Sequence, residues 1–158
     1  MVDDKKMLKS SLDVVIVGSG PAGAAAAKVL SGHSLNTLIM DAAKLPRYKM
    51  CSGILFPSAR KFIADHFGEI PEKIYCQPVA IKGNRVRISN DTPCEYGPFS
   101  LFDEGKGLPE HGRNVIRAEL DYWLSCQSDA QIVDQCRFKS VSMRDGGETV
   151  VVADLNGE

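Results

Sequence analysis

Apolar positions along this chain fall into two rhythms, short aliphatic blocks and stretches with helical spacing, and their alternation predicts the elements. Asp13 opens the block Val14-Val15-Ile16-Val17, which suits a strand buried in a parallel sheet and stops at Gly18. Ala22, Ala24, Ala25, Ala26 and Ala27 then supply high helix propensity and small side chains, and Gly32 offers a C-cap. Residues 35–40 predict a second strand, with Asp41 at its end. Strand, glycine turn, helix and strand form one βαβ unit, so the fold class is α/β with a parallel sheet.

The remaining pattern is less regular. Residues 42–56 show no period and carry Pro46, Arg47, Lys49, Cys51 and the Ser52-Gly53 pair, so they read as a loop leaving the carboxyl edge of the sheet, where ligands lie in open α/β folds. Residues 57–67 predict a helix with proline in its first turn, Phe62, Ile63, His66 and Phe67 on a core face, and Gly68 as its stop. Residues 79–82 and 85–89 flank Gly83-Asn84 and read as a hairpin, whereas residues 90–112 predict no element. A short strand over 114–116 enters a helix over 117–124, on which Leu120, Trp123 and Leu124 share a face with Gln127. Strands over 131–134, 136–144 and 148–155 follow, the last two joined at Asp145-Gly146-Gly147, so the chain ends β-rich.

Chemistry enters at the first break. Gly18-Ser19-Gly20-Pro21-Ala22-Gly23 fits G-x-G-x-x-G: the first glycine permits a tight turn, the second lets the backbone approach a pyrophosphate, and the third lets helix and strand pack closely. The free N–H groups and dipole of the following helix stabilise a phosphate without a basic side chain. Asp41 stands where such Rossmann-like units keep an acid for the adenosine ribose, about 20 residues beyond the turn, and an acid there disfavours a 2′-phosphate. Arg117, at a strand-to-helix junction, is equally well read as a phosphate or ribityl contact and as an ordinary surface arginine.

Composition narrows the classes. With 158 residues the chain has length for one domain or part of one. Its 19 basic and 20 acidic residues leave a formal charge of −1 with no basic run, so nucleic acid is not an expected partner. The charged first residues lack a signal peptide's apolar region and no run of about 20 apolar residues occurs, so the expected location is cytoplasmic. Cys51, Cys76, Cys94, Cys126 and Cys136 show no C-x-x-C spacing and His33, His66 and His111 no ligand spacing, so neither a disulfide framework nor a metal site is expected.

Residues 13–41, the loop Pro46-Arg47-Tyr48-Lys49-Met50-Cys51-Ser52-Gly53, the following Pro57-Ser58-Ala59 and the stretch 115–124 together resemble the geranylgeranyl reductase family of FAD-dependent oxidoreductases, within the wider flavoprotein monooxygenase-like group. The resemblance implies FAD, with its ADP half on the βαβ unit. Gly18, Ser19, Gly20, Pro21, Ala22 and Gly23 match the family's pyrophosphate turn and Asp41 its ribose acid. Lys49, Cys51 and Gly53 match the loop beside the flavin, with Ser52 where the family has glycine, a change that restricts the loop backbone. Arg117 matches an arginine that anchors FAD, and Phe138 or Val141 would offer backbone contacts to adenine. The implied reaction is reduction of carbon–carbon double bonds in isoprenoid chains. Its partners would be a small-molecule or lipid-chain substrate, an electron donor such as NAD(P)H or ferredoxin, and a membrane surface touched peripherally by the full protein. No catalytic acid or base is assigned.

On this reading residues 1–158 are the N-terminal part of an FAD/NAD(P)-binding domain. The hairpin signal Asn156-Gly157 has no strand after it, so a returning strand is expected outside this sequence. The resemblance implies that further strands closing the FAD domain and a substrate domain lie there too, and the chain alone is expected to hold FAD weakly or not at all. Two other classes share the glycine turn: a fragment of an NAD-dependent dehydrogenase, which has no need of the Lys49 to Gly53 loop or of Arg117, and a non-catalytic dinucleotide-binding domain.

Overall fold

A computed structural model describes residues 11–81 and 112–157. In chain order its elements are β1 (Val14–Val17), α1 (Pro21–Leu30), β2 (Thr37–Met40), β3 (Ile54–Leu55), α2 (Pro57–Phe67), a short 3₁₀ turn (Glu72–Ile74), β4 (Tyr75–Ile81), β5 (Gly112–Val115), α3 (Arg117–Ser125), β6 (Gln131–Val133), β7 (Cys136–Met143) and β8 (Thr149–Leu155). The hairpin predicted about Gly83-Asn84 lies outside the described residues beyond Ile81, as does the region 90–111. The chain divides into two compact units, residues 1–48 with 121–158, and residues 49–120.

The first unit is built on a parallel sheet in the order β1-β2-β6. β2 lies between two neighbours, which explains why all four of its residues, Thr37 to Met40, are buried. β1 is flanked on one side only and is half-buried, with Val17 58% exposed; a fully buried strand was the expectation, and the outer place in the described sheet accounts for the difference. α1 sets Ala24 and Ala27, both fully buried, into the unit's interior. Gly32, at φ +81°, takes the left-handed turn after the helix that its position predicts. Leu38, Met40, Val133 and Cys136 form a cluster with Leu12, Val15, Val151, Ala153 and Leu155 packed against it. Each fully buried aliphatic side chain there contributes about 1.5–3 kcal/mol. β7 and β8 form the predicted antiparallel hairpin through Gly146 and Gly147. Asn156 and Gly157 both have positive φ, the backbone state of a type I′ turn.

The second unit holds an antiparallel sheet in the order β3-β5-β4 together with α2. β3 is an unforeseen strand inside the stretch read as loop; two residues are too few to show a period, and only pairing with Arg113 and Asn114 defines them. On α2, Ile63 and Phe67 are buried as expected, but Phe62 is 51% exposed and meets the His66 ring at a 48° tilt with centroids 4.4 Å apart, so the core face is narrower than its apolar residues suggest.

Candidate dinucleotide site

The glycine turn follows β1 directly. Gly18 adopts φ +102°, where a side chain is strained, and a Cβ there would meet nothing within 4 Å; one on Gly20 would meet only the Arg47 Nη2 at 3.7 Å. Both positions therefore leave an open cradle that side chains would fill. At Gly23 the situation is reversed, because a Cβ would collide with the Gly18 carbonyl and crowd Ile16, so this glycine serves the packing of helix on strand. The three glycines thus divide their roles as the motif requires. α1 begins at Gly20 with no side-chain cap and Pro21 in its first position, and Ala24 is the first to close a helical bond, to the Gly20 carbonyl. The N–H groups of Ala22 and Gly23 accordingly have no acceptor within the helix.

Asp41 lies behind this turn rather than across it. The residue is only 7% exposed, and Oδ2 accepts from the Ser19 N–H at 3.0 Å, the Ser19 hydroxyl at 2.7 Å and Arg47 Nε at 2.9 Å. Oδ1 accepts from the Ala43 N–H at 3.0 Å. Burial by itself would raise the pKa, but the bonds from Ala43, Ser19 and Arg47 outweigh it and hold the group at about 2. A carboxylate has about four acceptor places, so a ribose hydroxyl would find room mainly on Oδ1. Ser19 is itself 1% exposed, and its carbonyl accepts from the Ser125 hydroxyl at 3.1 Å.

Arg47 is a member of this group that pattern reading passed over. Its one sequence signal was a cation in the loop that follows the strand-end acid. Pairing with Asp41 holds its guanidinium beside the cradle at Gly20.

In the second unit Cys51, Ser52 and Gly53 lie with Arg117. The Cys51 thiol is exposed and accepts from Arg117 Nη1 at 3.1 Å. The Gly53 N–H, then the Arg117 guanidinium, and more weakly the Ser52 hydroxyl, lower its pKa from the ordinary thiol value. Gly53, at φ +75°, bonds the Val115 N–H through its carbonyl at 2.8 Å, and a Cβ would come within 2.8 Å of the Val115 oxygen. Ser52 is not among the positive-φ residues, so serine is accommodated there without left-handed strain, contrary to the restriction its presence suggested. Lys49 is exposed. Phe138 and Val141 lie on β7, with an irregularity of register just after Phe138. Among the described residues no group of acids, cysteines and histidines could hold a metal ion.

No family model matches the chain. A menaquinone reductase of Mycobacterium tuberculosis is 32% identical over 120 residues, which is 70% of this chain and 25% of that protein. A geranylgeranyl bacteriochlorophyll reductase-like structure from Thermoplasma acidophilum matches 93% of this chain and 36% of its own with a TM-score of 0.67 at 19% identity. The myxobacterial chondrochloren halogenase, described as a variant of FAD-dependent halogenases, matches 89% of this chain and 35% of its own at TM-score 0.64 and 18% identity. The chain spans about a quarter of the length of the curated relatives it matches. In sequence the chain is thus similar to part of a menaquinone reductase, and in fold it is similar to geranylgeranyl reductase-like and FAD-dependent halogenase structures.

Proposed function

We propose that the chain holds the ADP half of FAD, as the nucleotide-binding portion of a flavin-dependent oxidoreductase. The observation that carries this reading is the turn itself: free of side chains at Gly18 and Gly20, braced from behind by a buried carboxylate, and followed by an uncapped helix start with a guanidinium beside it. The diphosphate would take the N–H groups of Ala22 and Gly23 and the outer nitrogens of Arg47. The ribose would use the remaining place on Asp41 Oδ1. When bound, FAD would supply two-electron redox chemistry, while these residues bind and orient its nucleotide end. From the resemblance, Lys49, Cys51, Ser52 and Gly53 are proposed to serve the flavin end of the cofactor and Arg117 to help anchor FAD.

The finer reading is reduction of an isoprenoid double bond with electrons from a donor such as NAD(P)H or ferredoxin. The family resemblance and the reductase names of two of the similar proteins support it. Halogenation is the second reading, supported by the halogenase similarity. The products of the flavin-loaded full protein separate them, a gain of hydrogen in one case and of halogen in the other.

Cofactor binding is tested by titrating FAD, ADP and NAD into the chain while following backbone amide resonances, which detects weak as well as tight binding. ADP is expected to shift the residues of the turn, and FAD to compete with it at most weakly in the chain alone. A chain that binds neither overturns the reading, and one that binds NAD in clear preference to FAD replaces it with the dehydrogenase alternative.

A further inference from the structure

Ser125 ends α3 fully buried, and its hydroxyl lies 3.1 Å from the Ser19 carbonyl and 3.1 Å from the Asp121 carbonyl of its own helix. A hydroxyl has one proton, so it is shared between the two acceptors and ties the last turn of the helix to the glycine turn. Ser19 is thereby held at each of its polar groups: N–H and hydroxyl on Asp41, carbonyl on Ser125. The carbonyl of Ser19 and the N–H of Gly20 belong to one planar trans peptide and point in opposite directions. Drawing the carbonyl inward to Ser125 therefore turns the Gly20 N–H outward.

We infer that Ser125 is a positioning residue for anion binding: through the Ser19 carbonyl it sets the peptide whose N–H, at Gly20, meets a diphosphate. The inference rests on the dinucleotide reading above and adds to it a residue remote in sequence from the glycine motif. Without the hydroxyl, the Ser19 carbonyl is buried with one partner fewer and the peptide is free to rotate. The anion would then bear the cost of ordering it, a cost that preorganisation removes.

The test compares the unsubstituted chain with Ser125→Ala and Ser125→Thr, using ADP as the probe and the Gly20 amide resonance as the reporter. Ser125→Ala is expected to weaken ADP binding by about three- to tenfold, the scale of one neutral hydrogen bond, and to shrink the shift of the Gly20 amide at ADP saturation. Ser125→Thr keeps the hydroxyl on the helix and is expected to restore both. Ser128→Ala, which removes a hydroxyl bonded to the Ser125 carbonyl, is expected to leave both unchanged. Equal affinity and an equal Gly20 shift in Ser125→Ala overturn the inference and leave the dinucleotide reading standing, as does a folded Ser125→Thr chain no better than Ser125→Ala. Absence of ADP binding by the unsubstituted chain, with none of FAD either, overturns the dinucleotide reading and this inference with it.

Discussion

Each unit of the chain sets an arginine against an acidic group, and the two pairs differ in everything but their distance. Arg47 meets Asp41 at 2.9 Å and Arg117 meets Cys51 at 3.1 Å. Asp41 is buried with four donors on its oxygens, three of them from the turn and the loop backbone around it. Cys51 is exposed, and its donors come from its own loop and the first residue of α3. A buried anion whose acceptor places are filled holds backbone in place, because each donor would be costly to leave unpaired. An exposed thiol beside a cation keeps its lone pairs accessible and gains reactivity instead.

The largest effect is expected where the turn has no slack. Gly23→Ala drives a methyl into the Gly18 carbonyl, and overpacking of this kind should cost about 3 kcal/mol in urea denaturation. Gly20→Val, by contrast, should leave stability nearly unchanged and abolish ADP binding, since its side chain enters the open cradle. Equal stability losses in the two variants would show that the glycines do not divide their roles.

Asp41→Ala comes next, with an expected loss of about 2–3 kcal/mol, because it strands the Ser19 N–H and hydroxyl in a buried place. The same group predicts a pH dependence. In the folded chain Asp41 stays ionised down to about pH 2, below its ordinary 3.8. The unfolded chain therefore binds more protons between those values, and stability falls as pH drops through that window, by up to about 2 kcal/mol. Denaturation at several acidic pH values should show that loss in the parent chain and its absence in Asp41→Asn.

Gly53→Ala sharpens the comparison from the other side. Strain at φ +75° and the approach to Val115 should cost about 2 kcal/mol, yet leave the Asp41 pH window untouched. The smallest effect on stability is expected at Cys51. Its alkylation by iodoacetamide, followed residue by residue by mass spectrometry, should show a pH midpoint below that of an ordinary thiol, and Arg117→Gln should move that midpoint up. Cys136, whose pKa burial and Asp154 raise, should react far more slowly. A Cys51 midpoint indifferent to Arg117 would dissolve the pairing.

Much of the architecture was legible because it depends on local periods. The βαβ unit, the helix over Pro57–Phe67 closed by Gly68 and the terminal hairpin through Gly146 and Gly147 all follow from spacing and glycine placement. β3 was not legible, because two residues have no period and are defined only by their partner strand. The exposure of Phe62 was hidden for a related reason: apolar character says what a residue can bury, not whether anything lies against it.

The candidate site divides along the same line. By itself the sequence determined that a turn of glycines links a strand to an uncapped helix with an acid at the next strand end, since these are relations between near neighbours in the chain. Only the tertiary structure decided which way the acid faces. Asp41 turns inward to Ser19, Arg47 closes over it, and Ser125 reaches the same serine from across the first unit. Such bonds join positions separated by up to 106 residues, and no local pattern encodes them, because a hydroxyl or a guanidinium takes its partner from whatever packing brings within hydrogen-bond reach.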